Sequence, residues 1–561
     1  MTKQSSLDRH ITLAMTERKG IMAKKVFYDD EAREKILAGA KKLADAVKVT
    51  MGPKGRNVVI GKSYGGPNIT HDGVTVAEAI DLPETEETLG EKIGADLIKQ
   101  AAKKMNKDAG DGTTTVTILT YEILKEANRL IAAGHNPMEL RKGVEKAGAE
   151  VLAGLGKLSE PVDGNKTRVA EVATISAGDP EIGQLIADVI AKIGRDGVVS
   201  VEEGQSLTME AEVVEGFTFD RGYVSAYMAT DTTRMEAVYD KPAILITDKK
   251  ISSVQEFLPI LEKLAAAGKK DVVLIADEVE GEALGVLILN RLKGVFNTVA
   301  VKAPSFGDRR GDVLQDIAIL TGATVITEDQ GLSFENVGLE VLGSARKVIA
   351  QKDSTTIIEG AGDHRNVAER VKQILAQADI ASSEYDKEQL EKRAASLNGK
   401  VAVIKVGGAT ETEINEKKYR VDDAVAATKA ALEEGIVPGG GVSLISLSKE
   451  ITGKDAGAEI LRVALAQPFK QLMNNAGLNT EALFAEVSRA KTGYGVDVMT
   501  PEKGVIDLKS AGVVDPARVT REEIQNAVSI SATAMTMGAL VADIPEPTTA
   551  MPDMGGGMGM M

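Results

Sequence analysis

Runs of Val and Ile short enough to be strands cluster between residues 198 and 406, and Ala-rich stretches with helical spacing lie on either side. That distribution excludes one uniform fold. Val198-Val199-Ser200-Val201, Ala243-Ile244-Leu245-Ile246, Val272-Val273-Leu274-Ile275, Thr298-Val299-Ala300-Val301 and Val401 to Val406 predict strands. The third and fourth flank a helical segment, Glu280 to Lys293, which is the order of a strand-helix-strand crossover. Before this region, Ile36, Leu37, Ala40, Leu43, Ala44 and Val47 recur at helical spacing, and the same pattern returns over Glu84 to Asp108 and on to Leu158. After it, a helix is expected from Arg420 to Glu434, with Asp422-Asp423 in its first turn as dipole partners, and helices continue from Val442 to about Val541. A small hairpin, Val58 to Ile60 with Asn68 to Gly73, interrupts the first helical part. The fold class is multidomain, helical ends around an α/β middle.

Inside the first helical part lies Ala109-Gly110-Asp111-Gly112-Thr113-Thr114-Thr115, directly before the apolar helix that continues through Leu124. A glycine loop entering a helix presents free backbone N–H groups and the positive end of the helix dipole, a site suited to phosphate. Gly110 and Gly112 allow close approach, the threonines add donors, and Asp111 would repel phosphate unless a cation such as Mg2+ sat between them. The same residues also suit an ordinary Asp/Thr helix cap. Thr50-Met51-Gly52-Pro53-Lys54-Gly55 predicts a helix stop and tight turn, and Gly439-Gly440-Gly441 a second glycine loop entering a helix. Asp72 is either a turn former or a carboxylate presented to phosphates.

Composition removes several function classes. A formal charge of -16 argues against nucleic-acid binding, which draws on clustered Lys and Arg. The chain has no Cys, hence no disulfide, thiolate metal site or cysteine nucleophile. No run is long and apolar enough to span a bilayer, and residues 1 to 21 lack the marks of a signal peptide or presequence, so the expected location is cytoplasmic, without membrane partners. A second start at Met22 leads to the expectation that translation begins there, which mass spectrometry of the native N-terminus would decide. The tail from Met554 to Met561 is low-complexity and expected to be disordered.

The predicted crossover helix, Gly281 to Asn290, is apolar on nearly every side, and Phe257, Leu258, Ile260, Leu261 and Leu264 make the preceding helix similar. Both suit either core packing or an exposed groove that takes up another chain.

Thr50 to Val58, Asp111 to Thr115, Phe306-Gly307-Asp308-Arg309-Arg310 and the Gly-Met tail, in that order, resemble the group I chaperonins, the GroEL type of sixty-kilodalton heat-shock protein. The resemblance covers about Ala23 to Met561. It implies an equatorial ATPase domain (23–157 and 434–545), an intermediate domain (158–214 and 402–433) and an apical domain (215–401), with 1–22 an extension and 546–561 a disordered tail. It also implies two stacked seven-membered rings of identical subunits, a GroES-type co-chaperonin as lid, ATP with Mg2+ and K+ as cofactors, and non-native proteins as clients.

By the same resemblance, Thr50, Met51, Gly52, Pro53, His71, Asp111, Gly112, Thr113, Thr114 and Thr115 surround the phosphates, with Asp111 holding Mg2+. Gly440, Asp497, Val498, Met499 and Asp515 match adenosine-contacting positions, and Asp72 and Asp423 match two hydrolysis-linked carboxylates. Tyr223, Tyr227, Met228, Leu258, Leu261, Leu284, Ile288 and Leu289 match client and co-chaperonin positions. Three departures stand out. His71 replaces a usual Lys or Asn, Gly399-Lys400 replaces a Gly-Gly hinge and predicts a stiffer one, and Asp497 stands where Asn is frequent. A small-molecule kinase or a non-folding ATP-binding scaffold are the alternatives; the first requires a polar cleft in place of paired apolar helices, and the second leaves Asp72 and Asp423 without a task.

Overall fold

Helical first and last thirds meet in space although some 235 residues separate them in the chain. The computed structural model describes residues 24–61, 66–162, 164–195, 197–204, 206–231, 234–327, 330–381 and 383–544. The expectations about the N-terminal extension and the Gly-Met tail lie outside them. Two compact units result, one combining the chain up to Gly183 with the chain from Tyr419, the other running from Gln184 to Lys418.

The first unit is built on long helices whose apolar stripes face one another. Asp29–Val47 buries Ile36, Ala40, Leu43 and Val47, and Glu91–Ala109 buries Ala95, Ile98, Ala102 and Met105. Gly39 and Gly94 let these two helices approach, since a Cβ at Gly39 would fall 1.7 Å from the Glu91 carbonyl oxygen. Thr113–Ala132, Pro137–Leu158, Ala456–Leu465 and Ala517–Ala534 share a second core that includes Val116, Leu119, Ile123, Val144, Leu461 and Ile524. Burying such stripes contributes about 25 cal/mol per Å2 of apolar surface, which is why Ala-rich helices with modest side chains must pack closely to be stable.

Small antiparallel pairs complete the unit. Val58–Ile60 pairs with Asn68–Thr70 as expected. Three further pairs were not expected: Ile436–Pro438 with Val514–Pro516, Tyr494–Val496 with Val505–Asp507, and Lys24–Tyr28 with Ala539–Asp543. The last joins the two ends of the described chain. Three-residue strands carry too little periodicity to be told from turns, and a terminal strand needs its distant partner to be recognised.

Two helix boundaries also differ from expectation. Glu91–Ala109 starts seven residues late because Gly90, at φ 90°, ends a turn closed by Thr85 and Thr88 hydroxyls. The helix carrying Asp422 and Asp423 runs from Glu411 to Glu434, so Glu411 and Glu413 are the first-turn acids and the Asp pair sits in mid-helix, without the dipole role.

The second unit holds a mixed sheet. Asn297–Lys302, Asp271–Ala276 and Ala243–Thr247 run parallel at one end, followed by Gly343–Ala350, Thr355–Gly360, Glu210–Phe219, Lys400–Val406 and Val198–Glu203. The expected crossover is present: Asp271–Ala276 and Asn297–Lys302 pair in parallel, and the helix between them spans Gly281–Leu292. At Gly399-Lys400 neither residue has positive φ, and Lys400 already pairs with Glu215. The expected stiffening through Lys400 therefore has no basis in backbone freedom. Gly399 is required by proximity, because a Cβ there would meet the Gly216 carbonyl oxygen at 2.6 Å.

Candidate functional site

The glycine-threonine stretch forms a sharp corner between two helices. Gly110 caps the Glu91–Ala109 helix at φ 71°, and Gly112, at φ 81°, stands at the N-cap of Thr113–Ala132, where no side chain caps the helix. The expected Asp/Thr cap is thus not what the segment forms. Asp111 points back, accepting from Gly112 N at 2.6 Å and from the Ser176 hydroxyl at 2.7 Å. The first-turn amides of a helix started by glycine keep their affinity for an external acceptor.

Other segments converge on this corner. A Cβ on Gly73 would lie 2.5 Å from Thr114 Oγ1 and 2.8 Å from Thr113 Oγ1, so the start of the Gly73–Ala79 helix rests directly on the threonines. Asp72 caps that helix, accepting from Val74 N at 3.3 Å, Thr75 N at 3.0 Å and Thr75 Oγ1 at 2.5 Å. Thr50 Oγ1 lies 3.2 Å from Thr114 Oγ1. Beyond it, Gly52 turns at φ 77°, Pro53 is exposed, and Gly55 N closes the turn on the Gly52 carbonyl. Asn475 anchors the turn by donating to the Lys48 and Met51 carbonyls at 3.0 and 2.9 Å. His71 Nδ1 is 3.3 Å from Asn57 Oδ1, and a Cβ at Gly55 would meet the His71 ring at 2.8 Å, which fixes His71 beside the turn.

The C-terminal segments supply the other side. Leu472 fills the space beside Gly52, where a Cβ would come within 2.1 Å of its Cδ1, and its Cδ2 lies 4.0 Å from the equivalent point on Gly440. Asp515 borders the second glycine loop, its Oδ1 being 2.9 Å from a Cβ on Gly439. Asp497 holds the next loop, accepting from Met499 N at 2.9 Å and Thr500 Oγ1 at 2.8 Å; Val498 is buried in the adjoining core and Met499 is exposed. Asp423 lies one helical turn before Ala426, whose Cβ sits 2.4 Å from where a Gly110 Cβ would be. Positions three apart share a helix face, so Asp423 is on the face turned to the corner.

The corner is acidic. Burial raises Asp111 above the usual carboxylate range; Ser176 and Gly112 counter this as donors, and the charge of Asp72 adds to it. Asp515 is pushed up to about 7 by burial and by Asp111. Glu523, which sequence reasoning missed, is 7% exposed and raised well above the ordinary Glu value by burial, then by Asp515 and Asp111. It comes from the Ala517–Ala534 helix, in a stretch, Arg521-Glu522-Glu523, that carries no sign of burial in its sequence. Among the described residues no three His, Asp or Glu side chains converge closely enough to hold a metal by themselves.

The apolar residues expected to bind clients divide by exposure. In the second unit Tyr227 is 71% exposed, and Leu258 and Leu289 are about half exposed. Leu284 and Ile288 are partly covered by the core. Tyr223, Met228 and Leu261 are in that core, at 8, 0 and 5% exposure, which corrects their assignment to an open surface. Leu261 faces inward because Phe257, Ile260, Leu261 and Leu264 form the buried stripe of Val254–Ala266, leaving Leu258 outside. Leu292 and Val295 extend the exposed set beyond the expected residues, and the spacing of Leu292 from Ile288 and Leu289 could have revealed it. Arg291 ties the exposed segment down by donating to the Tyr227 carbonyl.

Compared with known proteins, the sequence matches the family described as TCP-1/cpn60 chaperonin family over residues 43–545.

Proposed function

Because this chain belongs to the TCP-1/cpn60 chaperonin family, a family of protein-folding chaperones, we propose that it is an ATP-driven chaperonin of the group I, GroEL type. The observation that carries the ATP reading is the meeting of Thr50, Asp72-Gly73 and Thr113-Thr114 at a helix start that no side chain caps. Three such segments, with Asp111 between them, suit Mg-nucleotide. Mg2+ binds through one or two carboxylates and takes its other ligands from water and phosphate, so a single Asp111 is the donor set it needs. The carboxylates clustered around Asp111 make a cation favourable there for the same reason that they raise one another's pKa. K+ beside it would add to this neutralisation.

When bound, ATP supplies a phosphoryl bond whose hydrolysis drives the cycle. The chain's own part is positioning and charge. Thr113 to Thr115 and the first-turn amides bind the anion. Asp72 is held as an acceptor by three donors, which keeps the Gly73 helix pressed on the threonines. Asp423, on the face turned to Gly110, is the acid assigned to orient water and accept its proton. Gly440, Asp497, Val498, Met499 and Asp515 are assigned to the nucleoside side, and His71, beside the Gly52 turn, to the phosphate side.

Tyr227, Leu258, Leu284, Ile288, Leu289 and Leu292 are the proposed surface for non-native chains and for a GroES-type lid, since exposed apolar area captures the apolar area that unfolded chains present. The equatorial, intermediate and apical division stands as part of the same proposal. Association with further copies of the chain, which the proposed two seven-membered rings require, is supported by two sheets of two strands each, Lys24–Tyr28 with Ala539–Asp543 and Val58–Ile60 with Asn68–Thr70. Among the described residues both have open edges, and both carry exposed apolar residues, among them Tyr28, Val59 and Val541; edges of this kind pair with another chain. One experiment tests the whole: negative-stain images for double rings, ATP turnover for wild type and Asp423→Ala, and suppression of aggregation of a denatured test protein. A monomer, or turnover unaffected in Asp423→Ala, would overturn the proposal.

A further inference from the structure

The second unit holds an open cleft of about 470 Å3 at the N-terminal end of the strands Asp271–Ala276 and Asn297–Lys302, beside the last turn of the Gly281–Leu292 helix. That volume falls in the range of roughly 300–1,000 Å3 that small ligands occupy. The strand Ala237–Asp240 contributes Tyr239 and Asp240 to its lining. Most of the polar groups here are already answered. Arg291 donates to the Tyr227 and Ala229 carbonyls. Thr230 Oγ1 accepts from Val238 N at 2.8 Å and donates to the Glu236 carbonyl at 3.3 Å, and Asn297 Nδ2 donates to Asp271 Oδ1 at 2.9 Å. Asp240 has Lys347 at 3.5 Å, but that ammonium lies nearer Glu202, at 3.1 Å. Tyr239 stands apart. It is 2% exposed, and its hydroxyl has no hydrogen-bond partner among the described residues. Arg291 acts on this hydroxyl but carries donors only, so it offers the phenolic proton no acceptor. Burial pushes Tyr239 up to about 12 against the pull of Arg291, so the proton stays in place. An enclosed donor of this kind is costly until something supplies it with a lone pair.

We propose that this cleft binds a neutral polyhydroxyl compound of the pyranose sugar class, one of its hydroxyls accepting from Tyr239 and neighbouring hydroxyls donating to Asp271 and Asp240. The mixture of groups selects this class. An anion would supply the acceptor, but it would meet two carboxylates where Arg291 is already engaged with backbone. An alkylammonium would suit the carboxylates and has no lone pair for Tyr239. A hydroxyl carries one proton and two lone pairs, so adjacent hydroxyls answer the phenol and the carboxylates together. A carboxylate accepts at roughly four positions, which leaves Asp271 room beside its bond from Asn297. Val238 and Leu292 add apolar surface against which the C–H face of a sugar ring can lie. None of the residues assigned to ATP lines the cleft, and of those assigned to clients only Leu292 does.

Saturation-transfer NMR of the full-length protein tests this with three probes: glucose, glucuronate, which places a carboxylate on the same ring, and cadaverine, a diamine without hydroxyls. The expected result is binding of glucose in the millimolar range, with glucuronate and cadaverine at least about ten-fold weaker. Tyr239→Phe removes the hydroxyl and nothing else. It is expected to weaken glucose binding about ten-fold, as for loss of one hydrogen bond, and to leave the thermal midpoint unchanged or higher, because no bond within the chain is lost. Asp271→Asn, close in size to the original, is expected to weaken glucose binding as well. Absence of glucose binding at tens of millimolar would overturn the inference, and so would equal binding of glucuronate or cadaverine. Undiminished binding in Tyr239→Phe would place the sugar elsewhere, and a lowered midpoint in that variant would mean that the hydroxyl is already bonded inside the chain; either result sinks it. ATP turnover and suppression of aggregation report separately on the proposed function, so each reading can fail alone.

Discussion

Gly73 shows how little room the corner leaves. Any side chain there must displace Thr113 and Thr114, with the Thr114 backbone nitrogen at 3.1 Å, so Gly73→Ala is expected to lower ATP affinity at least ten-fold while the far helices stay intact. Calorimetric titration with nucleotide and far-UV circular dichroism measure the two effects. Asp515 gives the pH dependence. Its folded value of about 7 lies above the ordinary Asp value of 3.8, so the folded state holds this proton more tightly than the unfolded chain does. The stability contribution is complete below about pH 4 and is lost as the pH rises toward 7, at most on the order of 4 kcal/mol. Urea unfolding without nucleotide or Mg2+ is expected to show midpoints that decline over this window, with a shallower decline in Asp515→Asn. At this scale the glycines, threonines and Asp111 were legible because loop chemistry is local. Glu523 was not, because an acid on a helix looks solvated until the helix is packed.

The paired helices of the second unit are the element that does two tasks at once. Their inner stripes close the core and their outer residues remain exposed, so substitutions should separate cleanly. Leu261→Ala or Met228→Ala is expected to destabilise the unit by about 2–5 kcal/mol, as for other buried large-to-small changes. Tyr227→Ser or Leu289→Ser should leave the unfolding midpoint nearly unchanged and reduce suppression of aggregation; light scattering of a denatured test protein measures this. Equal loss of stability in both pairs would contradict the division by exposure. In the sequence both helices look apolar on nearly every side, and periodicity alone does not tell which side a sheet will cover. The Asp422-Asp423 helix was misread for a related reason. Its first turns, from Glu411 on, are charged without an apolar stripe, and the apolar pattern that marks a helix in the sequence begins only near Val421.

For the molecule as a whole, the architecture rests on bringing Lys24–Tyr28 beside Ala539–Asp543 and the Gly52 turn beside Leu472. No local pattern announces such pairings; the helical character of the two ends only makes a shared unit plausible. The open strand edges lead to an assembly prediction. Val59→Asp combined with Ile69→Asp is expected to shift the protein from rings toward single subunits in analytical ultracentrifugation, because exposed apolar positions on an edge hairpin tolerate charge in a monomer but not in an interface. The account centres on one corner, where three distant segments meet and a phosphate site is proposed. The most direct measurement is electron cryo-microscopy of the full-length protein with Mg2+ and a non-hydrolysable ATP analogue. The account predicts rings in which the phosphates lie at the start of the Thr113–Ala132 helix, between Thr50, Asp111 and Gly73. A nucleotide bound elsewhere, or this corner closed and empty at saturating analogue, would contradict it.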